Sequence, residues 1–535
     1  MFQMSFQDEN GSRLAGCAME GESPLNAADV PAMKHHFYYT STVPMAQTSY
    51  GPVRGYHYDG LDIFKGIPYG KARRFHAPEP VTGWKEPLEA TNYGYVCPVL
   101  RMEKPGGEML VPHRYWVQNE DCLNLNIWTP ACDCGKRPVL VWLHGGGYSD
   151  GSAIEQVAYE GENMARLGNC VVVSVNHRLN ILGYFDLSDF GEEYVNSGNA
   201  GGDDIVLALK WVRDNIAVFG GDPACVTVFG QSGGGAKVTT LLQTPAADGL
   251  YHRCFNMSGV IGGAMADSTG SGRDCALAVM DALGISSAAE LEKVPYAQLA
   301  AAYNQVSPAL RREGKNVGMA PHPNAFYLGD PLTNGRGFRK ETAAVPLLVG
   351  TVFSEFLGFF KPDLSVPLET LFGEETAVQL RTLYQAAYPC RDASQIALVD
   401  TMFRSPTIQY IQARAASGGP VFSYLFEQDF PIEDGRSAWH CSDIPFVFHN
   451  TELVPVCAFH GASELEERIF HAVMDFARTG NPGWQESTDT IENTMLFGPD
   501  CHVVQNHDHA LIQALLPLEK QLLSAATQGD GQIQH

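Results

Sequence analysis

The chain has 535 residues, 45% hydrophobic and 18% charged, a balance that fits a compact globular protein and excludes a disordered one. A net charge of −24 without any basic stripe excludes nucleic acid, whose phosphates demand a basic face. There is neither a basic-then-apolar leader nor a run of about 18 apolar residues, so a cytoplasmic location and no membrane partner are expected.

Residues 1–45 show no period and read as an N-terminal extension. One domain is expected over 46–526, with a tail at 527–535. QTSYGPVRGYHYDGLDIFKGIPYG, with short apolar runs broken by glycines, predicts antiparallel strands. Cys132 and Cys134 in ACDCGKRP lack a second pair with zinc spacing, so they read as ordinary thiols and no metal is expected. The thirteen cysteines, scattered and odd in number, fit a reducing compartment.

RPVLVWL (137–143), CVVVSVN (170–176), CVTVFG (225–230), VPLLVG (345–350) and VFSYLF (421–426) are continuous apolar runs, as parallel strands buried on both faces are. GDDIVLALKWVRDNIAVFG (202–220) is an amphipathic helix between two of them. Mostly helical insertions are expected near 262–343 and 362–418, and late helices over 464–480 and 509–526. Strand and helix in alternation predict the α/β class, with a large, mostly parallel central sheet covered by helices on both faces.

Gly230-Gln231-Ser232-Gly233-Gly234 fits G-x-S-x-G between a strand, VTVF, and a helix, AKVTTLLQ. A serine on such a tight turn has its hydroxyl pushed out above the sheet, which suits a nucleophile. Ser149 lies in a second match, Gly147 to Gly151, but no strand leads directly into it and no clean helix follows. Upstream, His144-Gly145-Gly146-Gly147 follows the strand PVLVWL. Glycines there let main-chain N–H groups turn toward the oxyanion of a tetrahedral intermediate, each donor contributing about 3 kcal/mol. Gly146 and Gly147 are the expected donors, with Gly233 as the third.

A serine needs a histidine to take its proton and a carboxylate to orient that histidine. With the order serine, acid, histidine, Glu355 after VPLLVG and His440 after VFSYLF are the candidates. Asp330, Asp363 and His449 compete with them by position.

Taken together these motifs resemble the type-B carboxylesterase family of the α/β-hydrolase fold, which includes para-nitrobenzyl esterases and cholinesterases. FKGIPYG, Glu120-Asp121-Cys122-Leu123-Asn124-Leu125-Asn126, HGGGY, GNAGGDDIVLALKWVRDNIAVFGGDP and FARTGNP resemble its signatures in order. The resemblance puts Glu355 and His440 at the acid and base positions and Ser258 in contact range of the triad. It implies a cofactor-free serine carboxylesterase acting on a small-molecule ester, with helical insertions over the active site. An amide or lactone hydrolase of the same fold, or a non-catalytic cholinesterase-like binding protein, are the alternatives; oligomeric state stays open.

Several positions depart from the family pattern. Gln231 and Gly233 stand where the family usually has glutamate and alanine, and Asp443 where glutamate is common. Gln231 removes a charge beside the triad yet can still hydrogen-bond. Cys97 and Cys122 match a pair bridged in secreted relatives and are expected close together and reduced. Trp116 is off the spacing of the choline-binding tryptophan. Phe353, Phe356, Phe359 and Phe360 are candidates for either a pocket wall or the core.

Overall fold

A computed structural model of the chain describes residues 37–40, 43–101, 108, 110–261, 268–359, 366–432 and 435–521. Among them, twelve strands form the central sheet. These are β1 (Phe37–Tyr38), β2 (Tyr56–Tyr58), β3 (Leu61–Pro68), β4 (Asn124–Thr129), β5 (Arg137–Leu143) and β6 (Val171–Val175). They continue with β7 (Gly221–Gln231), β8 (Arg253–Met257), β9 (Leu347–Val352), β10 (Val421–Phe426), β11 (Asn493–Phe497) and β12 (His502–Gln505). Spatial order is β1-β2-β3-β4-β6-β5-β7-β8-β9-β10-β11-β12. From β6 through β11 every neighbouring pair is parallel, while the strands at both edges run antiparallel.

The continuous apolar runs conceal a period of two. In β5, Leu140 and Trp142 pack into one core with Phe229 and Leu348. Val139, Val141 and Leu143 point the other way, into a second core with Val173 and Val228. Helices α1 (Ala200–Asn215), α2 (Gly233–Leu242) and α5 (Arg404–Ala416) cover the second core, and α6 (Ala462–Thr479) covers the first. A third, smaller core forms where α3 (Arg273–Leu283) and α4 (Tyr296–Arg312) pack as a pair around Met280 and Tyr303.

Some expectations need correction. β1 pairs Phe37 with Tyr58, and Met45–Thr48 pairs with Gly51–Arg54, so sheet structure begins inside the segment read as an extension. Residues 1–36 and the tail at 527–535 lie outside the described residues. β4 and β8 escape the apolar-run test because asparagines interrupt them. Those asparagines are buried but paired: Asn126 donates to the Ser174 hydroxyl at 3.0 Å and accepts from Gly66 N at 2.9 Å. Asn256 donates to Gly235 O at 3.1 Å. The helix expected over 509–526 runs over His509–Leu515 and tightens to a 3-10 turn at Leu516–Leu518, where Pro517 has no N–H to continue the ladder. It is helical again at 519–521, beyond which lie residues outside the described ones.

Register sets up the site. Leu143 stands opposite Gly230, and Val352 opposite Phe426. The loops leaving β5, β7, β9 and β10 therefore emerge side by side at one edge, the place where open α/β sheets bind ligands. Among the described residues no helix is long and apolar enough to cross a membrane.

Candidate active site

Ser232 sits between β7 and α2, half-buried, with φ 57° and ψ −126°. Its N–H donates to Met257 O of β8 at 2.8 Å, which ties the turn to the next strand. The flanking glycines are needed for a steric reason. A Cβ on Gly230 would lie 2.5 Å from Leu143 O, and one on Gly234 would lie 1.9 Å from the same atom.

The glycine loop leaves β5 beside this turn. Gly146 and Gly147 have left-handed backbone, with φ of 83° and 62°, and Asp150 N closes the loop onto Gly146 O at 2.9 Å. Gly147 presses on Gly233, where a Cβ would stand 2.1 Å from Gly147 O. The alanine usual in the family would therefore collide here. Ser149 is half-buried within this loop, its hydroxyl donating to Gly146 O at 3.4 Å. Its G-x-S-x-G match is a turn of the glycine loop.

Glu355 opens a short helix after β9 with φ 39°, and its carboxylate is fully buried. Oε1 accepts from the Ser258 hydroxyl at 2.6 Å and from Val352 N at 3.0 Å. Oε2 accepts from His440 Nδ1, while His440 N donates to Glu355 O at 3.0 Å. The imidazole packs against the rings of Phe356 and Phe403, at 4.5 and 5.1 Å, and those two rings lie 5.7 Å from each other.

With Nδ1–H given to Glu355, His440 Nε2 is left as an acceptor. The Gln231 side-chain amide donates to it at 3.3 Å, and Gln231 Oε1 accepts from the Cys441 thiol at 3.2 Å. Ser258, Glu355, His440, Gln231 and Cys441 are thus one hydrogen-bonded chain. Ser232 is reached through its neighbour Gln231; among the described contacts its hydroxyl makes no hydrogen bond to His440. The competing residues stand elsewhere. Asp330 accepts from Leu332 N in a loop, His449 pairs with Glu466 and Glu467, and Asp363 falls outside the described residues.

Two more buried carboxyls flank this chain. Asp443 accepts from the Tyr424 hydroxyl at 2.8 Å, and burial pushes it up to about 7. Asp400 accepts from the N–H groups of Phe403 and Arg404 at 2.9 and 2.8 Å, and burial and the charge of Glu355 raise it as well. Behind the glycine loop, His144 and His177 stack at 4.9 Å, and burial holds both well below the usual histidine range. The Lys237 ammonium donates to His144 O at 3.0 Å.

Sequence reasoning missed Lys237, Asp400, Phe403 and Cys441. Only Lys237 carried a local signal, a cation in the otherwise apolar-leaning helix AKVTTLLQ. Phe353 is core, edge-on to Tyr388; Phe359 is half-buried, and Phe360 is outside the described residues. Trp116 is exposed, its ring edge-on to Tyr93. Cys97 and Cys122 are buried and unbridged, with their thiols hydrogen-bonded. A cavity of about 1410 Å³ opens beside the glycine loop, bounded by Gly147, Tyr148, Ile261, Met319, Tyr327 and Leu328 among others. Among the described residues no three His, Cys, Asp or Glu side chains are grouped to hold a metal ion.

A parallel-centred sheet carrying a serine elbow and a glycine loop at its carboxyl edge defines an α/β hydrolase. Residues 42–495 match the model of the carboxylesterase family, and the chain belongs to that family; its relatives named as esterases and carboxylesterases across most of its length make it a carboxylic ester hydrolase. It is 32% identical over 509 residues to the para-nitrobenzyl esterase of Bacillus subtilis (strain 168), covering 89% of this chain and 99% of that protein. It is also 32% identical over 470 residues to the phenmedipham hydrolase of Pseudarthrobacter oxydans, covering 82% of this chain and 91% of that one. An esterase from anaerobic Clostridium hathewayi, which can hydrolyse aliphatic aromatic polyesters, superposes with a TM-score of 0.87 at 48% identity, over 90% of this chain and 99% of that one.

Proposed function

We propose that the protein hydrolyses carboxylic esters through an acyl-enzyme on Ser232, with His440 as base and Glu355 as its orienting acid. The observation that carries this reading is the His440 imidazole. Glu355 holds its Nδ1, and its acceptor Nε2 faces the Gln231-Ser232 turn. When an ester enters, the Ser232 hydroxyl replaces the Gln231 amide at Nε2; such bonds often form only in the substrate complex.

Ser232 Oγ then bonds to the ester carbonyl carbon as its proton passes to His440. The oxyanion is met by the N–H groups of Gly146, Gly147 and Gly233. His440 returns the proton to the leaving alcohol, the C–O bond breaks, and water activated by the same imidazole releases the acid. Ser258 holds Glu355 through Oε1, and Gln231 keeps the imidazole in the tautomer that can accept.

Replacing Ser232 with alanine tests this. Turnover of an activated aryl ester is expected to fall to about a thousandth or less of wild type, since losing the nucleophile leaves only the residual catalysis over water that the oxyanion site and binding sustain, with Tm unchanged. Activity well above that level would contradict the assignment.

A further inference from the structure

We propose that Lys237 is a positioning residue for ester hydrolysis: its buried ammonium ties α2 to the base of the glycine loop and lends positive charge to the oxyanion site. This rests on the reading of Gly146, Gly147 and Gly233 as oxyanion donors. Those donors come from two separate pieces of chain. Gly233 opens α2, whereas Gly146 and Gly147 belong to the loop after β5. For three N–H groups to point at one oxygen the two pieces must stay in fixed relation, since a misplacement of even 1 Å is costly to catalysis.

Lys237 spans that junction. It lies one turn into α2, 1% exposed, and its Nζ donates to His144 O at 3.0 Å, two residues ahead of Gly146. The first turn of α2 already touches the same strip, for a Cβ on Gly234 would meet both Leu143 O and His144 O. A long cation is seldom buried without a role, because losing its hydration is costly.

The groups around Lys237 come from several elements. Asp150 and Tyr148 belong to the glycine loop, with Nζ 5.9 Å from the centre of the Tyr148 ring. Glu155 follows that loop, Cys97 lies upstream, and His177 follows β6. Burial disfavours the ammonium while Glu155, Cys97 and Asp150 favour it, and the balance brings Lys237 down to about 7. The stacked histidines are held neutral partly by this ammonium, so they add no competing positive charge. The ammonium therefore gives way to a neutral amine as pH rises through about 7, and the positive charge it lends is lost there.

The test is kcat/KM against pH for wild type, Lys237→Met and Lys237→Gln, with Tm for each. Wild type is expected to step down to a lower plateau as pH rises from about 6 to about 8, and both variants are expected to lack that step. At about pH 6.5, Lys237→Met is expected to lose roughly 10- to 100-fold, mainly in kcat. Lys237→Gln, which can still donate to His144 O, recovers part of the loss. An alkaline step retained in the variants, or a Lys237→Met enzyme within about twofold of wild type at that pH, overturns the proposal. If Lys237→Met does not fold, the Lys237→Gln profile decides in the same way. A fluorophosphonate separates this from the underlying reading. Labelling at Ser232 with unchanged profiles overturns the role of Lys237 alone, and labelling at another residue overturns both.

Discussion

Ser232, Ser258, Glu355 and Cys441 all hold left-handed backbone, with φ of 57°, 46°, 39° and 78°. Each such non-glycine residue costs about 1–3 kcal/mol and persists only where its surroundings enforce it. Here the enforcement is visible as bonds from Ser232 N to Met257 O, from Ser258 N to Gly350 O and from Val352 N to Glu355 Oε1. Gly233 shows how little slack remains. Gly233→Ala would drive a methyl group to 2.1 Å from Gly147 O, forcing the glycine loop away. A fall in kcat of about tenfold or more and a lower Tm are expected for that variant; wild-type values for both would mean the loop yields freely. The turn at Ser232 and the glycine loop were legible in sequence because both follow from local backbone geometry, and the roles proposed for them rest on that geometry. Glu355 and His440 needed the family resemblance, since Asp330, Asp363 and His449 fit by position. The bonds of Gln231 to His440 and Cys441 were not legible, because they arise where two distant loops meet.

Among the elements, β5, β7, β9 and β10 were readable from apolar runs, whereas β4 and β8 were hidden by buried asparagines. Periodicity weighs polarity alone, and it cannot see that Asn126 and Asn256 are satisfied by partners from other strands and helices. The loop and short helix after His440 carry a testable electrostatic feature. Burial moves Asp443 from an ordinary 3.8 up to about 7, so folding favours its protonated form. The stability this contributes is fully present below about pH 4 and is lost as pH rises through about 7. Asp443→Asn has no proton to lose and keeps an acceptor for the Tyr424 hydroxyl. Its Tm is therefore expected to decline less than that of wild type between about pH 4 and 8. Parallel declines would show that Asp443 ionises normally in the folded protein.

Over the whole molecule, one register does the assembling. Strands β5, β7, β9 and β10 end at the same edge, so residues near 146, 232, 355 and 440 are brought together although hundreds of positions separate them. The α/β class was legible because helices and buried strands alternate along the chain. Where the sheet begins was not legible, since a two-residue edge strand such as β1 leaves no pattern. Neither was the cavity wall from Met319 to Leu328, which is loop and has no period to read. The convergence of Ser232 and His440 is tested most directly by reacting the whole protein with a fluorophosphonate and mapping the modified peptide. One adduct per chain is predicted, on Ser232, forming at least about 100-fold more slowly in His440→Ala. An adduct on Ser149 or elsewhere, or a rate indifferent to His440, would contradict the account.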